Sequence, residues 1–500
     1  MLPSCACFTS SAHCVRSLAL RLVLRVICTL LLLALLGLPF GFAQDRPFGF
    51  AQDRLNPVGA EESVPHLRVY IVLIDGLSAE FLSPQLTPVL WELIYGDKER
   101  TTFYTAARAV MPTVTNVNHV SLITGTYPAA HGITGNYYWD RRAQSLRVPL
   151  DYAELIEVET LFTVMEKERA EMVSAGVFGK WKLAELFQTG GSQIGPDHLW
   201  GDMESEHEAV DSHAGLASDE RTMDEVLRTI SQKDPYLLFV NLPDVDRLSH
   251  LFGPDSHEAR RGLLEADRQL KRLVEFLQAS GLWQNMVLML TADHGFALVT
   301  PEEKRPSPLF SFGRELAREG MKDIVAVSDG GVEHIYLRGF DPGSPTLSPE
   351  EAERLRAVRA LALKQPEIEE ALYRLAHPQD GGEKYCLDTV HPDWRLSHPR
   401  AGELILIARP GHHFNDPFSP RAAGLRGNHG SPHERHIPIV ITGGYPKLKA
   451  QIVQAGEQAE NPDLGLTALW LLGLREPRYV NGKPVPEVLQ GRVLSEAFAP

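Results

Sequence analysis

Cysteine is nearly absent from the body of this chain. Of five cysteines in 500 residues, Cys5, Cys7, Cys14 and Cys28 lie in or before an apolar N-terminal run, and only Cys386 follows it. A single thiol cannot close an intramolecular disulfide or build a thiolate cluster, so any metal bound here uses histidine and carboxylate ligands. Excess positive charge is lacking too. With 49 Lys and Arg against 64 Asp and Glu, the formal charge is -15, which excludes a surface that coats nucleic acid. The long apolar run "VICTLLLLALLGLPFGFA" follows Arg16, Arg21 and Arg25, is broken by Gly37 and Pro39, and reaches Gly41 and Ala43 just before Gln44. That pattern predicts an export signal over residues 1–43, with an uncleaved anchor as the alternative. A mature chain in the periplasm or secreted, without a stable membrane span, is the expectation.

Residues 44–65 read as a linker. They continue a tandem octapeptide, "PFGFAQDR" at 39–46 and again at 47–54, and two copies cannot build a stacked repeat architecture. Beyond it, 44% hydrophobic and 23% charged composition describes a globular chain long enough for one large domain with insertions or for two.

Several apolar stretches are continuous rather than alternating: "VYIVLI", "YLLFVNL", "NMVLMLTA", "GELILIA" and "HIPIVITGG". Such runs suit strands buried on both faces, as in a parallel sheet covered by helices. Between them Leu263, Ala266, Leu270, Val274 and Leu277 recur every three or four residues and predict a helix over 255–280. The class is α/β. The first three runs each lead into aspartate: Asp75, then Asp244 and Asp246, then Asp293 followed by His294. Ligands of a parallel sheet bind beyond the carboxyl ends of its strands, so three acidic ends define a candidate cation site.

A lone aspartate after a strand is ordinarily a turn former or helix cap. Here it recurs, with His250 four residues after Asp246 and His294 beside Asp293, and Asp and His are ligands that zinc accepts. Among nineteen histidines, His429 stands out in the glycine-flanked "GNHGSP". His119, His131, His257, His334, His412, His413, His433 and His436 lack such a context and read as surface or structural. Finally, "PTVTNVNHVSLITG" predicts a helix from about Thr115. Thr113 or Thr115 is either its simple N-cap or a hydroxyl placed in the positive end of the helix dipole, where an incoming anion is favoured. A reacting threonine needs activation, which a metal held by the strand-end aspartates would supply.

Taken in order, "VLIDG", "MPTVTNVNHVSLITGTYPAAHGITGN", "PDVDRLSHLFGP", "TADHG" and "GNHGSP" resemble the alkaline phosphatase superfamily, in its type I phosphodiesterase and nucleotide pyrophosphatase branch, which includes phosphonoacetate hydrolases. The resemblance implies a mostly parallel central sheet with helices on both faces. It makes Thr115 the nucleophile and two Zn2+ per chain the cofactors. One zinc would be held by Asp75, Asp293, His294 and Thr115, the other by Asp246, His250 and His429, the family spacing of Asp to His selecting Asp246 over Asp244. Asn136 matches an asparagine that contacts a nonbridging phosphoryl oxygen.

The implied activity is phosphoester hydrolysis through a phosphothreonine, on a small phosphorylated or phosphonate substrate. Asn116 and "GNYYWD" look more like the phosphonoacetate hydrolase pattern, and Lys180 and Lys182 in "VFGKWKLAELF" are similar to its paired lysines. Two cations suit a dianionic phosphoryl group or a carboxylate; solvated lysines at a helix start are the alternative. Cleavage of a P–C bond and a catalytically inactive extracellular binding protein are the competing functions. Residues 341–400, charged and helical, read as a cap insertion dividing a catalytic core of 66–340 and 401–500. No Cys or Ser in a sulfatase-type C/S-x-P-x-R context stands near Thr115.

Overall fold

The continuous apolar runs form strands buried on both faces. In chain order the computed structural model has β1 (Arg68–Ile74), β2 (Arg100–Tyr104), β3 (Ser174–Phe178), β4 (His198–Gly201), β5 (Leu237–Leu242) and β6 (Met286–Thr291). There follow β7 (Ile324–Asp329), β8 (Val332–Leu337), β9 (Ile368–Tyr373), β10 (Leu404–Ala408), β11 (Ile439–Gly443) and β12 (Gln451–Val453). The structure describes residues 67–96, 100–142, 147–188, 195–201, 216–299, 309–414, 426–454 and 458–500, all within one unit, Val64–Pro500. The expected signal and linker lie outside the described residues.

β1 shows why the pattern is continuous. Val69, Ile71 and Leu73 enter one apolar cluster, and Tyr70, Val72 and Ile74 enter another on the opposite face. Fully burying such a side chain stabilises the fold by about 1.5–3 kcal/mol. Helices supply both clusters. They include α1 (Pro88–Tyr95), α2 (Thr115–Thr124), α3 (Trp181–Phe187), α4 (Asp219–Lys233), α5 (Asp244–Phe252), α6 (His257–Ala279) and α8 (Asn461–Leu471), whereas α7 (Pro349–Ala362) enters a third cluster. α2, α3 and α8 cover the first face; α1, α4 and α6 cover the second.

The main sheet has eight strands in the order β12-β2-β11-β6-β1-β5-β3-β4. Every pairing is parallel except those of β11, which runs against β6 and β2. Four neighbours, β6, β1, β5 and β3, therefore end at one edge. Val72 of β1 sits opposite Val240 of β5 and Leu290 of β6, so the segments carrying Asp75, Asp246 and Asp293 leave the sheet side by side.

A smaller antiparallel sheet, β7-β8-β10-β9, is covered by α7. It takes in strands on both sides of the 341–400 interval. The run "GELILIA" is β10 and belongs to this second sheet: Leu404 and Leu406 pack on one side, Ile405 and Ile407 on the other. A continuous apolar run reports burial on two faces and is silent about which sheet the strand joins. The β7–β8 turn meets the main domain at Gly330, whose φ is +68° and where a Cβ would come 1.9 Å from the His429 carbonyl oxygen. Among the described residues, no helix is long and apolar enough to cross a membrane.

The α2–α8 contact fixes the helix that carries Thr115. At Gly465 an added Cβ would lie 2.0 Å from the Leu122 carbonyl oxygen. Gly465→Ala is therefore expected to force the helices apart and destabilise the protein by about 1–3 kcal/mol, seen as a lower thermal midpoint. A midpoint equal to wild type would contradict this close approach.

Candidate active site

At the carboxyl edge of β6, β1 and β5, Asp75, Asp246 and Asp293 converge, each nearly or fully buried. Each divides its two oxygens between the protein and the interior of the site. Asp293 Oδ1 accepts from the main-chain N–H of Gly76 and of His294, both at 3.1 Å. Asp75 Oδ2 accepts from Asn241 Nδ2 at 2.8 Å and pairs with Lys180 Nζ at 2.8 Å. Asp246 Oδ2 pairs with the same ammonium at 2.8 Å. The remaining oxygens, Asp75 Oδ1, Asp246 Oδ1 and Asp293 Oδ2, are buried without a hydrogen-bond partner, and so is His294 Nε2.

Three histidines show the same division. Nδ1 of His250, His294 and His429 lies 3.0, 3.0 and 2.8 Å from the carbonyl oxygens of Gly427, Gly295 and Thr113. A carbonyl only accepts, so each Nδ1 carries the hydrogen and each Nε2 presents its lone pair inward, the arrangement that prepares imidazole for a metal. His250 Nε2 and His429 Nε2 are 3.4 and 3.6 Å from Asp246 Oδ1. His294 Nε2 is 3.4 Å from Asp293 Oδ2 and 3.8 Å from Asp75 Oδ1. Ligand atoms of Asp246, His250 and His429, and of Asp75, Asp246 and His294, fall within 4.8 Å of one another. Orphaned carboxylate oxygens facing imidazole nitrogens are a donor set that fits zinc.

The electrostatics call for a cation. Burial, with Asp75 close by, pushes Asp293 well above the usual carboxylate range. Burial also opposes charge on Asp246, but the Lys180 ammonium beside it outweighs this and holds that carboxyl well below its ordinary value. Burial keeps His294 neutral, its pKa down at about 4, and burial holds His429 well below the usual imidazole value as well. A bound dication would let all three carboxylates ionise together.

Thr115 opens α2, and the N-cap is Val114, with no side-chain cap. Neither threonine caps the helix. Thr113 Oγ1 donates to the Ser431 carbonyl at 2.8 Å and accepts from Gly430 N–H at 3.0 Å, so it ties down the His429 loop. Thr115 Oγ1 lies 3.4 Å from Lys180 Nζ, the ammonium that pairs with Asp75 and Asp246. Asn136 joins them: its Oδ1 accepts from Asn116 N–H at 3.0 Å, which leaves the Nδ2 hydrogens for an incoming oxygen. Asp244 stands outside, accepting from Asp219 N–H and pairing with Arg247, which leaves Asp246 in the cluster.

Lys180 and Lys182 part company. Lys180 is only 5% exposed and raised above its ordinary pKa: burial works against its charge, and Asp246, Asp75 and Asp293 outweigh that. It is no solvated lysine. Lys182 is half-buried, makes no hydrogen bond or ion pair to another described residue, and is lowered by burial and by Lys180. Sequence reasoning missed Asn241, a polar residue inside an apolar strand, and Asp329 at the end of β7. Asp329, raised by burial to about 6, accepts from Asn136 N–H and so links the smaller sheet to the site.

The sequence pattern of the family described as type I phosphodiesterase / nucleotide pyrophosphatase matches residues 69–432. Ectonucleotide pyrophosphatase/phosphodiesterase 2 of Saccharomyces cerevisiae is 27% identical over 246 residues, covering 47% of this chain and 48% of the relative. The bis(5'-adenosyl)-triphosphatase ENPP4 of Bos taurus is 23% identical over 246 residues, covering 47% and 49%. The chain spans about half the length of these curated relatives. The solved structure of murine ectonucleotide pyrophosphatase / phosphodiesterase 5 is similar in fold, with a TM-score of 0.64 at 20% identity over 86% of this chain and all of that one. An inactive Thr-to-Ala variant of the same murine protein, in complex with AMP, also has a TM-score of 0.64 at 20% identity, covering 87% of this chain and all of that one.

Removing a bound metal should leave three buried carboxylates to repel one another. Chelation is expected to lower the thermal midpoint, and added zinc to restore it, because a ligand at a thousand times its Kd stabilises the folded state by about 4 kcal/mol. An unchanged midpoint in differential scanning calorimetry would contradict a metal at this site.

Proposed function

Because the chain belongs to the type I phosphodiesterase / nucleotide pyrophosphatase family, within the alkaline phosphatase superfamily, we propose that it hydrolyses phosphodiester or pyrophosphate bonds of a nucleotide-like substrate with Thr115 as nucleophile. The observation that carries this reading is the set of orphaned ligand atoms, Asp75 Oδ1, Asp246 Oδ1, Asp293 Oδ2 and His294 Nε2, gathered beside a hydroxyl at a helix N-terminus. Two zinc ions, one held by Asp75, Asp293, His294 and Thr115 and one by Asp246, His250 and His429, would supply a lowered pKa for the attacking hydroxyl and charge stabilisation for the leaving oxygen.

The steps belong to the chain's own residues. Thr115 Oγ attacks phosphorus in line, the Oγ–P bond forming as the bond to the leaving oxygen breaks; the hydroxyl proton is lost to solvent, the leaving oxygen takes one up, and a phosphothreonine results. Water then cleaves that ester on the same phosphorus and returns the hydroxyl to Thr115. Asn136 Nδ2 donates to a nonbridging oxygen, its amide held in orientation by Asn116 N–H. The amino end of α2 adds a favourable field for the anionic phosphoryl group. Lys180, between Asp75 and Asp246, serves the carboxylates first and reaches Thr115 Oγ second. Support for a nucleotide comes from the AMP complex of the murine neighbour and from the name of the bovine relative.

A second reading rests on Lys182. A half-buried ammonium without an ion pair to another described residue suits a second negative charge, as on a phosphomonoester dianion or a phosphonate carrying a carboxylate, and a diester offers only one. Export to the periplasm or the exterior remains part of the proposal. An inactive binding role fits poorly with a full complement of ligand residues and nucleophile.

Thr115→Ala is expected to keep fold and zinc and to lower kcat by roughly 10^3-fold or more on a para-nitrophenyl phosphodiester; turnover within tenfold of wild type would reject Thr115 as nucleophile. For Lys182→Ala, loss of one charge-assisted contact worth about 1.5–3 kcal/mol should raise KM for para-nitrophenyl phosphate roughly tenfold or more and leave KM for the diester within about twofold. Equal shifts for both substrates would remove Lys182 from substrate recognition.

A further inference from the structure

His119 is fully buried one turn below Thr115, at a site where the other three histidines present Nε2 to the interior. Its ligand atoms lie within 4.8 Å of those of Asp75 and Asp293, yet both of its nitrogens are engaged. Nδ1 is 2.9 Å from the Thr115 carbonyl oxygen, which only accepts, so Nδ1 carries the hydrogen. Nε2, 3.2 Å from Asn241 Nδ2, therefore accepts from that amide. The second hydrogen of the same amide goes to Asp75 Oδ2 at 2.8 Å. Rotating the amide by 180° would set its oxygen against a carboxylate and an imidazole lone pair, so the orientation is fixed by chemistry.

We propose that His119 and Asn241 form a positioning relay that couples the main chain of the nucleophile Thr115 to the metal-ligand carboxylate Asp75. The chain of bonds runs from the Thr115 carbonyl through His119 and Asn241 to Asp75 Oδ2, joining α2, β5 and the end of β1. Asp75 Oδ2 is then held by Asn241 and Lys180 together, so its Oδ1 faces the site in one orientation. His119 is a positioning residue, not a ligand: its Nε2 would have to surrender the Asn241 hydrogen before it could bind a metal. Partners of this kind around a ligand typically control metal affinity and activity by 10–100-fold.

The inference rests on Asp75 as a zinc ligand, and the test separates the two. Zinc affinity of both sites is measured by chelator competition in wild type, Asn241→Leu, His119→Leu, His119→Gln and the double Leu variant, beside kcat and KM on the diester. Each Leu variant is expected to weaken one of the two zinc ions by about 10–100-fold and to lower kcat with KM little changed. The double variant should lose no more than either single one, as residues acting in one chain do. His119→Gln keeps a donor and an acceptor and should recover most of the loss; it also keeps the test decisive if His119→Leu does not fold. Wild type without zinc would defeat the metal reading and this one with it. Zinc binding in wild type with unaltered affinities in folded variants, additive losses in the double variant, or a Gln variant as impaired as Leu would overturn the relay alone.

Discussion

Three aspartates buried within a few ångströms of one another repel, and the rest of the site is an answer to that repulsion. Unit charges 4 Å apart interact by roughly 4 kcal/mol at an effective dielectric of 20. The protein meets part of this with Lys180, which touches both Asp75 and Asp246. It leaves one oxygen of each aspartate without a partner, it keeps His294 and His429 neutral by burial, and it turns Nδ1 of His250, His294 and His429 to main-chain carbonyls so that each Nε2 faces the carboxylates. A buried carboxylate oxygen without a donor is costly unless a cation is its partner. This arrangement explains why the candidate ligand histidines, His250 on α5 and His294 and His429 on loops, each turn Nδ1 to a backbone carbonyl, and why Asn241 sits within an apolar strand.

The sheet makes the convergence possible. Parallel neighbours deliver their carboxyl ends to one edge, and four of them deliver Asp293 with His294, Asp75, Asp246 with His250, and Lys180. α2 enters over the same edge with Thr115 in its first turn, held against α8 by the close approach at Gly465. The smaller sheet contributes from the far side. Its β7–β8 turn carries Asp329 to the Asn136 main chain and rests Gly331 N–H on the His429 carbonyl at 2.9 Å, so parts of the site far apart in sequence share one support.

Much of this was legible in the residues alone, for physical reasons. Continuous apolar runs marked doubly buried strands, their terminal aspartates marked the edge, and the four-residue step from Asp246 to His250 fits one helical face of α5. The two sheets were not separable, because β10 has the same apolar signature as β1. Thr113 and Thr115 could not be told apart from local sequence; only the His429 loop, more than three hundred residues away, shows that Thr113 is engaged. Lys180 and Lys182 look alike two positions apart, and the course of each side chain decides which one meets the aspartates. His119 lacked a strand-end context and was grouped with structural histidines, and its partner Asn241 becomes visible only when α2 and β5 are brought together.

Anomalous diffraction at the zinc absorption edge, from crystals grown with zinc, tests the central claim most directly. The account requires two peaks, one among Asp75, Asp293, His294 and Thr115 and one among Asp246, His250 and His429. A single peak, or density showing these carboxylates closed on protein donors alone, would contradict it.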